Sequence, residues 1–337
     1  MRKKKRKSVG MTAIISVFLL LVLSLSLSSV ISDYKGKPGS DFVTVTVKEG
    51  IGTAQIADVL KENGIIRYPF WFRLASKLGG HDGSYLQGTF TMSRNAGYEA
   101  VFKGLKSPDN VLIRVTIPEG FELRQIADRL QEEGLIDRDR FFEVAEKTEF
   151  DYWFLKDLPK RENRLEGYLF PDTYLFKKGD TEENIINMML ARFEQIYTDE
   201  FKKQAKALNM SDDEIIILAS VIEREAMGDT DRDKVASVFH NRLKNSQYPY
   251  LESCATVQYI LKERKPVLSV ADTQIDSPYN TYRNSGLPAG PIASPGKASI
   301  EAALYPAKTD YLFFVLDSSG VHRFAKTYAE HQQNMRK

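Results

Sequence analysis

Two glutamates, Glu223 and Glu225, stand near the end of an apolar run, where carboxylates are chemically out of place. The run from Ser211 to Gly228, SDDEIIILASVIEREAMG, has the pattern of one largely buried helix. Burial disfavours a charged group, and the helix dipole disfavours anions near the C-terminal end. A carboxyl in such surroundings favours its protonated form, which can give a proton to a leaving group.

Helical geometry separates the two carboxyls. Glu225 continues the apolar stripe of Leu218, Val221 and Ile222, whereas Glu223 lies about 160° away around the helix axis. We therefore predict that Glu225 is the catalytic acid. The alternative is that both glutamates only form ion pairs at a frayed helix end. The basic neighbours available for such pairs are Arg224, Arg232 and Lys234.

The same stretch carries helix-boundary signals at both ends. Ser211 is a predicted N-cap, and Glu214 three residues later completes a capping box. Gly228 is a predicted C-terminal stop. The sequence thus predicts a central helix over 211–228, which the remainder of the fold must surround.

Two further segments carry polar groups in unusual places. Glu166 lies among apolar residues in LEGYLFPDTYLF, as a second carboxylate that either serves a site or pairs with an arginine. The segment 277–296, SPYNTYRNSGLPAGPIASPG, is long and dense in turn-forming residues, which is typical of functional loops. It contains Asn280, Thr281 and Tyr282, whose neutral hydrogen-bonding groups suit sugar hydroxyls and N-acetyl groups.

Composition excludes several classes of function. The chain has 337 residues, 42% apolar and 27% charged, as expected for a globular protein with an ample core. One cysteine and four scattered histidines show no metal-ligand spacing, so we predict neither a metal nor a cofactor. The net charge is +2, but the first seven residues contribute six positive charges, which leaves about −4 for the remainder. Nucleic acid is therefore not an expected partner.

The N-terminal segment predicts a membrane anchor. Ser8 to Ser32 carries no charge, and at 1.5 Å per residue its helix would span about 37 Å, enough to cross a bilayer. We predict a cytoplasmic basic tail (1–8), a transmembrane helix (9–32) and a tether (33–42), with everything that follows outside the cytoplasm. The alternative is a cleaved signal peptide.

An internal repeat follows the tether. VTVKEGIGTAQIADVLKENGII (Val45 to Ile66) matches VTIPEGFELRQIADRLQEEGLI (Val115 to Ile136), and each copy predicts a strand, a turn and a helix. This format loosely resembles the glycan-binding LysM module, so we predict a LysM-like repeat region over 43–155. The alternative is a duplicated α+β scaffold that binds no ligand.

Five motifs occur in order behind the anchor: LEGYLFPDTY, LASVIEREA, DKVASVFHNRL, YNTYRNSGLPAGPIASPG and AALYPAKTDYLFFV. Together they resemble the endolytic murein transglycosylases, or YceG-like family. The resemblance implies an α+β fold and a catalytic domain over 156–337. It also implies cleavage of the β-1,4 bond between N-acetylmuramic acid and N-acetylglucosamine within glycan strands, alongside peptidoglycan synthases at the cell membrane.

The family's catalytic glutamate is the second of its E-x-E pair, which falls on Glu225. Where the family often has an acidic residue, this chain has Cys254. The further side chains that we predict to position the sugars are Glu166, Ser220, Gln258, Asn280, Thr281 and Tyr282. Two alternatives stay open: a hydrolase that uses Glu166 as a second carboxylate, and a membrane-tethered scaffold that binds glycan without cleaving it.

Overall fold

The protein has the mixed α+β architecture that the sequence predicts. A computed structural model describes residues 3–226 and 231–336, with side chains from residue 16 onward except that of residue 109. The chain divides into two compact units. The first comprises Met1–Ile113 and Leu175–Gly179, and the second comprises Arg114–Tyr174 and Asp180–Lys337.

The first unit packs helices against antiparallel strands of a four-stranded sheet. Its elements are α1 (Lys3–Lys35), β1 (Phe42–Val47), α2 (Thr53–Glu62), α3 (Pro69–Leu78), β2 (Gly88–Ser93) and α4 (Tyr98–Lys106). Strand β1 pairs with β2 from Phe42↔Ser93 to Val47↔Gly88. Because side chains alternate along a strand, Val45 and Val47 enter the core while the intervening threonines face outward.

Within the described residues, the segment Ser16–Lys35 of α1 is apolar and long enough to cross a membrane, which fits the predicted anchor. The predicted tether over 33–42 is shorter than expected, because α1 continues to Lys35. Asp33 is buried and accepts hydrogen bonds from the Arg67 and Tyr68 N–H groups, at 2.8 and 3.0 Å. The end of α1 is therefore attached to the first unit.

The second unit is mainly helical. Strands β3 (Val111–Thr116) and β4 (Thr173–Lys177) contain the division points of the chain. The other elements are α5 (Leu123–Glu132), α6 (Arg138–Lys147), α7 (Glu182–Ile196), α8 (Asp199–Ala207), α9 (Asp212–Glu225), α10 (Arg232–Leu243), α11 (Cys254–Leu261), α12 (Val270–Thr273), α13 (Lys297–Leu304), β5 (Phe313–Leu316), β6 (His322–Ala325) and α14 (Tyr328–Asn334).

Helix α9 is the central helix that the sequence predicts. All residues from Ile215 to Ile222 are buried, and α9 packs against α8, α10, α11 and α13. The Ser211 hydroxyl accepts the Glu214 N–H, and the Glu214 carboxylate accepts the Ser211 N–H, so the predicted capping box is formed. The helix ends at Glu225. The predicted stop at Gly228 lies outside the described residues.

Both copies of the repeat run through a strand, a turn and a helix. Their turns place Gly50 and Gly120 at φ +76° and +75°, in the left-handed region that favours glycine. The copies nevertheless lie in different units, because the chain divides at 113/114 and not at the predicted 155/156. The second copy belongs to the second unit, where the Leu123 N–H of its α5 donates to Glu166 and the following helix α6 packs against α7. The LysM likeness stays a prediction.

Candidate active site

Glu225 is the last residue of α9, and its carboxyl lies at the start of α11. Oxygen Oε1 accepts the Ser253 hydroxyl at 2.5 Å and the Ala255 N–H at 3.2 Å. Ser253 is the N-cap of α11, so the carboxyl faces the positive end of that helix dipole. Among residues 3–226 and 231–336, both hydrogen bonds to this carboxyl fall on Oε1, so Oε2 is the oxygen that we expect to carry and transfer a proton.

Glu223 has a different environment. Its Oε2 accepts the Gly296 N–H at the start of α13 at 3.0 Å, and its Oε1 is 3.9 Å from the Arg232 guanidinium. Its side chain is only 8% exposed. Glu223 therefore forms the ion pair that we considered as the alternative role for both glutamates. Within the part of the chain that the structure describes, the Glu225 carboxyl accepts hydrogen bonds from neutral donors, and the residue is half-buried.

The loop before α11 is fixed by Thr281. The Thr281 hydroxyl accepts the Ser253 N–H at 3.0 Å, and its carbonyl accepts the Glu252 N–H at 3.2 Å. The Thr256 hydroxyl lies 3.0 Å from the same Thr281 hydroxyl. Glu252 has φ +53°, a conformation that costs energy for a residue with a Cβ. These bonds hold the strained turn that aims Ser253 at Glu225.

Tyr282 and Cys254 lie next to each other at the start of α11, near Glu225. The Tyr282 hydroxyl lies 3.1 Å from the Cys254 Sγ. Burial raises the pKa of the tyrosine hydroxyl, with contributions from Cys254 and Glu225, and burial also raises the pKa of the thiol. Both groups are therefore neutral near pH 7 and can offer hydrogen bonds without adding charge beside Glu225.

Asn280 and Ser220 hold the long loop in place. Asn280 is fully buried, donates to the Thr273 and Ile275 carbonyls, and accepts the Tyr282 N–H. Ser220 is also fully buried; its hydroxyl donates to the Ile217 carbonyl at 2.7 Å and accepts the Ile292 N–H at 3.0 Å. In the structure these two predicted site residues act on the loop backbone. Their polar groups do not face solvent.

Gln258 lies on α11, in the turn after the N-cap network. Its side-chain amide donates to the Lys265 carbonyl at 2.9 Å. The residue is half-buried, so part of its surface faces solvent. The structure therefore places Gln258 on the same helix as the groups that hold Glu225, with its amide nitrogen bonded to the loop after α11.

Glu166 occupies a separate, deeper position. It is 2% exposed and accepts the Leu123 N–H at 2.9 Å and the Tyr259 hydroxyl at 3.2 Å. Burial raises the pKa of Glu166 to about 8, against the opposing effect of the Leu123 N–H. It borders a cavity of about 510 Å³, whose wall includes Glu122, Tyr259 and Tyr279. The sequence also allowed Glu166 to pair with an arginine. Among the described residues, its hydrogen-bond partners are the Leu123 N–H and the Tyr259 hydroxyl instead.

The structure thus brings Glu225, Thr281 and Tyr282 together around the start of α11. Sequence reasoning missed Ser253 and Thr256, although a serine directly before a short helix is an N-cap signal. It also missed the contact between Glu122 and Arg224, which are 3.3 Å apart and 102 residues distant in sequence. Within residues 3–226 and 231–336, no cluster of His, Cys, Asp and Glu could hold a metal ion.

Comparison with known proteins identifies the family. The sequence model of the YceG-like family matches residues 45–337. The chain belongs to the YceG-like family. It is 34% identical over 309 residues to the endolytic murein transglycosylase of Bacillus subtilis, covering 88% of this chain and 85% of the relative.

Two other YceG-like relatives extend the comparison. The chain is 31% identical over 322 residues to the endolytic murein transglycosylase of Streptococcus pneumoniae strain D39, covering 87% of this chain but 58% of that longer protein. It also superposes on the crystal structure of a yceG-like protein from Listeria monocytogenes with a TM-score of 0.59 and 30% identity. That alignment covers 88% of this chain and 99% of the other.

Proposed function

We propose that this protein is an endolytic murein transglycosylase that cleaves the β-1,4 bond between N-acetylmuramic acid and N-acetylglucosamine within peptidoglycan strands. Its YceG-like relatives that carry this name support the reaction class. One observation supports the assignment of the site. Glu225 is a half-buried carboxyl whose Oε1 is held by two neutral donors, while no described residue bonds to its Oε2.

In the proposed mechanism one carboxyl acts first as a general acid and then as a general base. Protonated Glu225 gives its proton to the glycosidic oxygen, and the bond from that oxygen to C1 of the muramic acid breaks. The resulting carboxylate takes the proton of the muramic acid C6 hydroxyl, whose oxygen bonds to C1 and closes a 1,6-anhydro ring. Because the nucleophile belongs to the substrate, its proximity is provided by the sugar itself.

The alternative hydrolase would need a second carboxylate beside the scissile bond. Glu166 was the candidate, but it is 2% exposed, and the Leu123 N–H and the Tyr259 hydroxyl each engage one of its two oxygens. A carboxyl committed to these bonds is poorly placed to activate water or attack C1. The geometry of Glu166 therefore favours the single-carboxyl mechanism.

The predicted sugar-positioning residues fall into two groups. Tyr282 and Gln258 are half-buried and can meet substrate directly. Ser220, Asn280 and Thr281 are buried, so we propose that they act through the loop and the α11 N-terminus. For Glu166 we propose a role in shaping the adjoining cavity, whose wall carries the Tyr259 and Tyr279 rings, 5.1 Å apart.

The finer parts of the proposal concern location and partners. Helix α1 would cross the cell membrane once, with its basic tail in the cytoplasm and both units outside. There the enzyme would trim or terminate nascent strands beside peptidoglycan synthases. The common turn geometry of the two repeat copies supports a LysM-like region, whose glycan binding is part of the same proposal.

A matched pair of variants tests the catalytic assignment. Purified peptidoglycan is incubated with the detergent-solubilised full chain, and soluble fragments are counted by chromatography. We expect Glu225→Gln to release none, whereas Glu223→Gln should retain activity with a lower Tm, because it weakens contacts to Arg232 and Gly296. Activity in Glu225→Gln with none in Glu223→Gln would reverse the assignment. Full activity in both would show that neither glutamate is the catalytic acid. The absence of fragments from the wild type as well would favour the scaffold that binds glycan without cleaving it.

A further inference from the structure

Helix α3 presents an exposed apolar face. Four of its residues are unusually exposed for their type: Phe70 (65%), Trp71 (40%), Leu74 (38%) and Leu78 (80%). At about 100° per residue they fall within one arc of about 100° around the helix. Phe72, on the opposite side, is fully buried in the core of the first unit. We call these four exposed residues the α3 face.

The two charged side chains of α3 itself are both positive. Arg73 and Lys77 are exposed and lie along one edge of the arc, and the sequence PFWFRLASKL contains no acidic residue. A short helix with Trp, Phe and Leu on one face and basic residues beside them has the composition of an interfacial membrane helix. Anionic lipid headgroups would meet the basic edge favourably.

The α3 face is also close to the predicted membrane boundary. The Ser29 hydroxyl of α1 lies 2.8 Å from the Tyr68 hydroxyl, one residue before α3 begins. Asp33 of α1 accepts the N–H groups of Arg67 and Tyr68 and the Tyr98 hydroxyl at 2.7 Å. Exposed apolar residues of α1 lie on both sides of Ser29, at Leu27 (56%) and at Ile31 (46%), each two residues away. The start of α3 is therefore held beside the end of the apolar span.

From this continuity we propose that the α3 face lies in the headgroup and upper acyl region of the bilayer, as a second membrane contact of the first unit. The inference rests on the proposed anchoring by α1, and it goes beyond that anchor. Asp33 and Ser29 position α3, the aromatic and leucine side chains enter the interface, and the basic edge meets lipid phosphates. The first unit is then held against the membrane surface.

Tryptophan quenching by brominated lipid tests the proposal on the full chain. The protein is reconstituted into vesicles of phosphatidylglycerol and phosphatidylethanolamine whose acyl chains carry bromine near the headgroup. The chain has two tryptophans, Trp71 and Trp153, which allows a matched pair of variants. We expect quenching in the wild type and in Trp153→Phe, and its loss in Trp71→Phe. Unquenched Trp71, or quenching that persists in Trp71→Phe, would overturn the proposal.

Sugar stacking by Phe70 and Trp71 is the competing use of this face. If soluble glycan strands shield Trp71 from an aqueous quencher while brominated lipid leaves its emission unchanged, the face binds glycan and our proposal is wrong.

Flotation of the vesicles reports separately on the α1 anchor. A triple variant, Phe70→Ser with Leu74→Ser and Leu78→Ser, should keep wild-type activity on soluble glycan strands in detergent, as should the control pair Val267→Ser and Val270→Ser. If the proposed enzymatic function is wrong, the wild type, the triple variant and the control pair should all be inactive, independently of the quenching result.

Discussion

Glu225 and Glu223 are two residues apart on one helix and have opposite surroundings. Helical periodicity separated them in the sequence, and the structure gives each a different set of partners. The sequence could not reveal that Ser253 is the donor to Glu225, because the two are 28 residues apart and meet only through the fold. The local helical pattern was enough to predict Glu225 as the acid. The hydrogen bond from Ser253 depends on long-range packing, which the pattern does not contain.

Ser253→Ala tests that support. The substitution removes the hydroxyl that donates to Glu225 Oε1. This bond should strengthen as Glu225 gives up its proton and becomes charged, and a hydrogen bond to a charged group contributes about 1.5–3 kcal/mol. We expect kcat on glycan strands to fall about 10- to 100-fold with KM little changed. Ser211→Ala is the control, since it removes an N-cap far from the carboxyl. It should lower stability by about 0.5–2 kcal/mol and leave kcat unchanged. Equal kcat values in the two variants would contradict the role of Ser253.

Glu166→Gln tests the protonation state of the buried carboxyl. The pKa of Glu166 is raised to about 8, so the folded chain binds a proton that the unfolded chain releases above about pH 4.3. Stability should therefore fall as pH rises from about 5 to 8, by at most about 1.4 kcal/mol per pH unit from this group. Glutamine resembles the protonated acid, so Tm of Glu166→Gln should vary less over this range. An unchanged slope of Tm against pH would contradict the assignment.

At the scale of elements, α9 was predictable because its signals are local. The capping box and the unbroken apolar run define its start and its burial. The 277–296 loop was recognisable from composition, but the way in which its buried residues support α11 was not. Asn280 and Ser220 were expected to face sugars, whereas they bond to backbone groups, since burial depends on contacts that residue type alone does not specify.

Gly167 tests how closely the segment after Glu166 packs on α9 and the long loop. It has φ +85°, and a Cβ there would lie 2.6 Å from the Pro291 Cβ and 3.1 Å from Ile216 Cγ2. Gly134 has a similar φ of +66° but open space around it. Gly134→Ala should cost about 1 kcal/mol through backbone strain alone, and Gly167→Ala about 2–4 kcal/mol through strain and overpacking. The comparison is made by Tm of the detergent-solubilised chain, and equal shifts would contradict the packing argument.

At the scale of the whole molecule, the α+β class and the long apolar N-terminal helix were predictable from composition and length. The division of the chain was not. The two repeat copies look equivalent in sequence, yet the second is built into the larger unit. Contacts such as that between Leu123 and Glu166, 43 residues apart, decide the division, and no local pattern encodes them.

Cys254 allows a direct test of the proposed orientation. It is the only cysteine of the chain and is exposed at the start of α11. If α1 spans the membrane with its basic tail inside, a membrane-impermeant maleimide should label Cys254 in intact protoplasts that express the full chain. Cys254→Ser should remain unlabelled. Labelling that requires lysis of the protoplasts would contradict the orientation.

The central claim is that one carboxyl transfers the proton and the substrate supplies the nucleophile. The most direct measurement is mass spectrometry of fragments released from purified peptidoglycan in ¹⁸O-labelled water. Our account predicts muramic acid ends that are lighter by one water than reducing ends, that contain no ¹⁸O, and that are absent with Glu225→Gln. New reducing ends in place of anhydro ends, absent from a control without enzyme, would show that water attacks C1, and the single-carboxyl mechanism would be wrong.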